Sequence, residues 1–275
     1  MFFRHAVGLA VGLALSAIAV GCNGPTYPKE RLAESLQQVL AGEQLKTTVR
    51  FFEHTLAVQL EYPNALAQQG NEIAVGPAFH EAARKVLIAL HRVLLSTDAD
   101  VRFYVLLLSD PQTPGAYLTM VRYIDDVRRA EVNMLNTEEI LERTVFDLNF
   151  VGSNTLTIEQ YVPRGVQMEE FLSWQLARRL QHQLMDTLQL SGRAEVGRCG
   201  GEFHDGEFAF TLNVTPTSEG ALDDATIAQI FQTSTGEIAK VLSSYQFHSF
   251  DSVRLILPAT GRNIVLPKTH LQAFQ

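Results

Sequence analysis

Residues 79–108 read FHEAARKVLIALHRVLLSTDADVRFYVLLL, and two periodicities meet inside them. Phe79, Ala83, Val86, Leu87, Leu90 and Leu94 recur at three- and four-residue spacing, which is the apolar stripe of a helix. Thr97-Asp98-Ala99-Asp100 ends that helix. Val101 to Leu108 then runs apolar without alternation, the pattern of a strand covered on both faces. A strong helix feeding so apolar a strand predicts an α+β protein whose sheet is covered by helices.

Outward from this stretch, Asp110 to Gly115 holds Pro111 and Pro114 and predicts a turn, and Tyr117 to Ile124 a returning strand. Toward the N-terminus, Pro63 to Gly76 predicts a polar loop. Thr47 to Tyr62 predicts a β-hairpin, broken at Glu53-His54 and alternating in Leu56, Val58 and Leu60. Pro28 opens a helix with Leu32, Leu36, Val39 and Leu40 on one face.

The second half predicts the same order. Leu172, Leu176, Leu180, Leu184 and Leu188 describe a helix. Ala194 to Phe203 and Glu207 to Val214 are two strands around His204-Asp205-Gly206, with Asp-Gly as the turn signal. Ala225 to Leu242 is a helix, Val253 to Leu257 a strand, Pro258 to Arg262 a turn, and Asn263 to Leu266 the last strand. The expectation is therefore two repeated α-β-β-α-β-β units with mostly antiparallel sheets, residues 28–124 and 168–275. Residues 125–167 form a helical connector ending in an extended Thr155–Val162 and a turn at Pro163-Arg164-Gly165. Asp125-Asp126 and Thr137-Glu138-Glu139 start the connector helices. Weak internal similarity accompanies the order: Lys29-Glu30-Arg31-Leu32 aligns with Glu169-Glu170-Phe171-Leu172, and Val101-Arg102 with Val253-Arg254.

The chain opens with Met1-Phe2-Phe3-Arg4-His5, followed by an apolar run from Ala6 to Val20 broken only by Gly8, Gly12 and Ser16, too short to span a bilayer comfortably. A basic start, a short apolar stretch and small residues at its end describe a secretory signal over residues 1–21. Ile18-Ala19-Val20-Gly21-Cys22 resembles the lipobox of bacterial lipoproteins, with Ala19 where that family usually has Leu. The resemblance implies cleavage before Cys22, lipid on its sulfur, and residues 22–27 as a tether. It makes the membrane a partner through two or three acyl chains, enough for a stable anchor. Asn23 rather than Asp after the cysteine favours the outer membrane, facing the periplasm. The modular arrangement resembles bacterial envelope lipoproteins with one or two α/β units, a resemblance that supplies no activity.

The net charge of −8, without a long basic run, argues against nucleic acid as a partner. With Cys22 lipidated, the second of two cysteines, Cys199, has no partner in the chain: it is either buried and inert or an exposed lone thiol. No G-x-S-x-G, phosphate-binding loop, H-E-x-x-H or paired C-x-x-C occurs, so no cofactor or metal is expected. The densest group of reactive side chains is Cys199, Glu202, His204 and Asp205, beside Gly197, Gly200 and Gly201, which allow a bulge. On one strand Cys199 and Glu202 would point to opposite faces. His80 and His91 lie about 16 Å apart along a helix, too far to share a metal. Asp125-Asp126 with Arg128-Arg129 reads as a helix start with local ion pairs, and Asp98 and Asp100 as a turn. Trp174, the only tryptophan, sits beside the leucine stripe and is expected to be partly exposed.

Two functions are compatible with this sequence. One is a membrane-anchored binding or assembly module of the envelope with a protein partner. The other is an envelope hydrolase or metal-dependent enzyme assembled from distant residues, with Cys199 and His204 as first suspects.

Overall fold

A computed structural model of the chain describes residues 26–69, 72–150, 156–189, 192–217 and 220–272. The expected export segment and Cys22 lie outside the described residues. In chain order, the first part contains α1 (Leu32–Gly42), β1 (Lys46–Phe52), β2 (Thr55–Glu61), β3 (Leu66–Gln69), β4 (Glu72–Val75), α2 (Phe79–Leu94), β5 (Phe103–Ser109) and β6 (Ala116–Tyr123). Next come α3 (Ile124–Glu131), α4 (Thr137–Glu142), β7 (Val145–Phe150) and α5 (Ile158–Tyr161). The remainder is α6 (Met168–Leu184), β8 (Ala194–Val196), β9 (Gly200–His204), β10 (Glu207–Thr211), β11 (Val214–Pro216), α7 (Asp224–Ser244), β12 (Ser252–Leu257), β13 (Arg262–Pro267) and α8 (Lys268–Gln272).

The protein is mixed α and β, with mostly antiparallel sheets. Beside the two-stranded pairs β3-β4 and β8-β11, two larger sheets have the orders β1-β2-β5-β6-β7 and β9-β10-β12-β13. Each has one parallel ladder, β2 with β5 and β10 with β12. Those are the places where a long helix, α2 or α7, carries the chain over a sheet face, and such a crossover returns a strand in the same direction. Two-residue turns close β1–β2 and β9–β10, with φ of 52° at Glu53 in the first and 48° and 78° at Asp205 and Gly206 in the second. Each turn also holds the strand that follows the helix: Arg102 N donates to His54 O, and Asp251 N to Gly206 O, both at 2.8 Å.

β5 explains its own unbroken apolar run. Tyr104, Leu106 and Leu108 enter a core with Leu32, Leu36 and Leu40 of α1 and Val86 and Leu90 of α2. Phe103, Val105 and Leu107 enter a second core on the opposite face. That second core continues through Phe171, Leu172, Leu176 and Leu180 of α6 to Phe208, Phe210, Val253 and Leu255 of the other sheet. α6 is thus the shared centre, and the two halves pack as one body through it. Each such side chain, fully buried, contributes about 1.5–3 kcal/mol. A strict four-residue leucine repeat drifts around an α-helix. The wider π-helical turn at Met185–Gln189 counteracts the drift, and Leu188 remains buried.

Several local expectations are corrected. The polar loop at 63–76 contains the β3–β4 hairpin, whose Leu66 is 3% exposed and built into the first core. The connector does form α3 and α4, but Val145–Phe150 pairs with β6 and lengthens the first sheet to five strands. Within the segment expected to be extended, Ile158–Tyr161 forms the short helix α5, started by a capping box between Thr157 and Gln160. Ala194–Phe203 is not one bulged strand. Ala194–Val196 leaves to pair with Val214–Pro216, and only Gly200–His204 joins the main sheet. A Cβ on Gly201 would lie 2.3 Å from Ser173 O and 2.9 Å from the Phe210 ring, so this glycine serves a close approach of β9 to α6.

Candidate functional site

A cleft of 430 Å³ opens where β7, α6 and the start of β9 meet. Val145 and Asp147 come from β7, Trp174 and Arg178 from α6, and Arg198, Cys199 and Glu202 from the β9 end, with Tyr161 of α5 behind them. The centre is Asp147. One of its carboxylate oxygens receives Arg178 and the other Arg198. Arg198 also donates to Asn149 Oδ1 at 2.9 Å, and its own carbonyl accepts from Asn213 Nδ2 at 2.6 Å. The loop before β9 is therefore tied to Asp147 and Asn149 of β7, joining the edges of the two sheets. Asp147 is 18% exposed and Arg198 60% exposed at the side chain, so the pair spans from interior to solvent.

Cys199 is buried, 4% exposed, and its sulfur lies 4.0 Å from Gly197 O. Burial pushes the thiol up from its ordinary value. A backbone hydrogen bond at Asn213 and the Arg178 charge pull it down by less. A thiol held protonated is a poor nucleophile and a poor metal ligand. Glu202 shares the cleft, but His204 and Asp205 do not. They are exposed at the far end of β9, with His204 roughly 16 Å along an extended strand from Cys199. The suspected Cys199–His204 pair is not brought together. Among the described residues, no group of three or more His, Cys, Asp or Glu side chains converges in a way that could hold a metal ion.

His80 is exposed beside Phe79. His91 Nε2 lies 3.3 Å from Tyr104 Oη, and burial together with the nearby Arg122 charge holds the imidazole below its usual value. Asp125 makes the local ion pair with Arg128 at 2.8 Å. Asp126 instead turns inward, accepting from Arg143 Nη1 at 2.9 Å and Tyr245 Oη at 2.6 Å. Asp98 accepts from the Lys29 backbone at 2.7 Å, and Asp100 lies 3.1 Å from His54. Trp174 is half-buried on the cleft wall.

Sequence reasoning missed Asp147, Arg178 and Arg198, which are separated by 31 and 51 positions and carry no local motif. It also missed β7 as the outer strand of the first sheet. Among the described residues, no strand pairs with the outer side of β7. Phe146 is 36% and Phe150 60% exposed there, with Val75 of β4 at 48% and Leu141 of α4 at 50%. A groove of 360 Å³ follows this edge, lined by Val75, Leu118, Phe146 and Leu148 on the apolar side and by Asp147, Arg178 and Arg198.

No described helix is long and apolar enough to cross a membrane. No protein-family model matches the chain, and no curated protein matches it.

Proposed function

We propose that the chain is a bacterial envelope lipoprotein, anchored through lipid on Cys22, that docks an extended segment of a protein partner onto the outer edge of β7. The observation that supports this reading is the exposed Phe146 and Phe150 on a sheet edge to which no described strand is paired. An open edge presents backbone donors and acceptors, and a partner strand satisfies them while its side chains cover the adjacent apolar surface. Proteins usually protect such edges with charge, proline or cover; β7 has a single charge, Asp147, held by Arg178 and Arg198, and carries exposed aromatic side chains on either side of it. The inner cleft supports binding rather than turnover: its Asp147 carboxylate is engaged by two arginines, and burial holds its thiol toward the protonated form.

The docking half is tested by placing a photoreactive phenylalanine at Phe150 and, as control, at Ile88, which is 58% exposed on α2. A discrete protein adduct in living cells at position 150, absent at 88 and lost on adding Phe146→Asp, is expected. Equal labelling at both positions, or none, overturns it. The anchor is tested separately by the intact mass of the membrane-extracted chain beside Cys22→Ser. Acyl mass on a chain starting at residue 22, lost in the variant, is expected.

A further inference from the structure

Building on the docking reading, we infer that the segment received by β7 alternates apolar and acidic side chains, with its acidic face set against Arg198 and Arg178. Side chains alternate along a strand, so Phe146, Leu148 and Phe150 share one face of β7 and Val145, Asp147 and Asn149 the other. An added strand continues the pleat of the sheet, and its own alternate residues fall on the same two faces. On the first face it meets Phe146, Phe150 and Val75, which select apolar side chains. On the second it meets two guanidiniums that share one carboxylate, Asp147, leaving that wall of the groove positive. Arg198 is well exposed and reachable from solvent. A carboxylate from the partner completes an alternation of charges around the pair, whereas a lysine there faces like charge. Toward the Val145 end the charge reverses, because in the neighbouring hollow the carboxylates of Glu138, Glu142, Asp186 and Glu237 outnumber Arg178 and Arg179, so the acidic residues belong at the Asn149 end.

The test uses the full chain in detergent and three labelled synthetic decapeptides. One alternates valine with glutamate, one alternates valine with lysine, and one has the valine–glutamate composition with the alternation scrambled. Binding is read by fluorescence anisotropy at low salt and at about 150 mM salt. The alternating glutamate peptide is expected to bind at least about tenfold tighter than either of the others. Arg198→Glu is expected to remove or invert that preference, and Phe150→Asp to weaken binding of the glutamate peptide. No binding of the glutamate peptide, equal binding of the glutamate and lysine peptides, or equal binding of the scrambled one overturns the inference. If the position-150 adduct still forms in cells after such a result, docking at β7 stands and only the partner's chemistry is wrong. If that adduct is also missing, the docking reading falls as well.

Discussion

Tyr245, at the end of α7, donates a 2.6 Å hydrogen bond to Asp126 of α3, across 119 positions of sequence. The same phenol oxygen accepts from Gln175 Nε2 at 2.9 Å, and the Arg143 guanidinium lies 4.8 Å from the centre of the Tyr245 ring. Four side chains from α3, the α4 end, α6 and the α7 end thus form one polar joint between the halves. Burial pushes the Asp126 carboxyl up, and Tyr245 and Arg143 pull it down by less.

Removing Asp126 or the Tyr245 hydroxyl leaves a buried group without its partner. Asp126→Ala strands Arg143, whose side chain is 13% exposed, and is expected to cost about 3–5 kcal/mol. Tyr245→Phe removes a hydrogen bond to a buried carboxylate and is expected to cost about 1.5–3 kcal/mol. Urea unfolding of both single variants and the double variant checks this. Full additivity would show that the two side chains do not act together.

Gly201 and Gly200 are neighbours with opposite tolerances. A methyl on Gly201 meets the α6 backbone, while one on Gly200 finds its nearest atom, Thr211 Cβ, at 3.9 Å. Gly201→Ala is expected to destabilise by about 1–3 kcal/mol and Gly200→Ala by less than about 0.5 kcal/mol. Thermal unfolding of the two variants, measured side by side, decides it.

His91 gives the fold a pH dependence of defined sign. Burial and then Arg122 lower its folded value below the ordinary imidazole value of 6.5, so the unfolded chain takes up the proton first. Its contribution to stability is full above 6.5 and is lost as pH falls through the lower folded value. Between about pH 7.5 and about pH 5.5, the melting midpoint of the native chain should fall further than that of His91→Gln. Parallel pH profiles for the two proteins would contradict this.

Cys199 should be chemically silent in the folded protein. Its thiol is buried and held protonated. A disulfide reagent at mildly alkaline pH is expected to label it at least about tenfold more slowly than in denaturant. Fast labelling of the native chain would mean that the cleft opens to the sulfur.

The sequence by itself determined the elements whose signal is local. The stripe of Leu32, Leu36 and Leu40, the Asp205-Gly206 turn, the helix–strand passage at 79–108 and the α+β class are all legible in it. So is the two-sided burial of Phe103–Leu108, within the apolar run read from Val101, because a strand covered on both faces cannot alternate. β7 was hidden because Val145–Phe150 is short and follows two helices, and its strand state is fixed by pairing with β6. The break between Ala194–Val196 and Gly200–His204 depends on α6 passing against Gly201, a contact made across 28 positions with Ser173. Tertiary structure alone assembled Asp147 with Arg178 and Arg198, and Asp126 with Tyr245. Charged side chains on separate elements carry no periodicity that names their partners, and only the packing of both halves on α6 brings them within hydrogen-bonding distance.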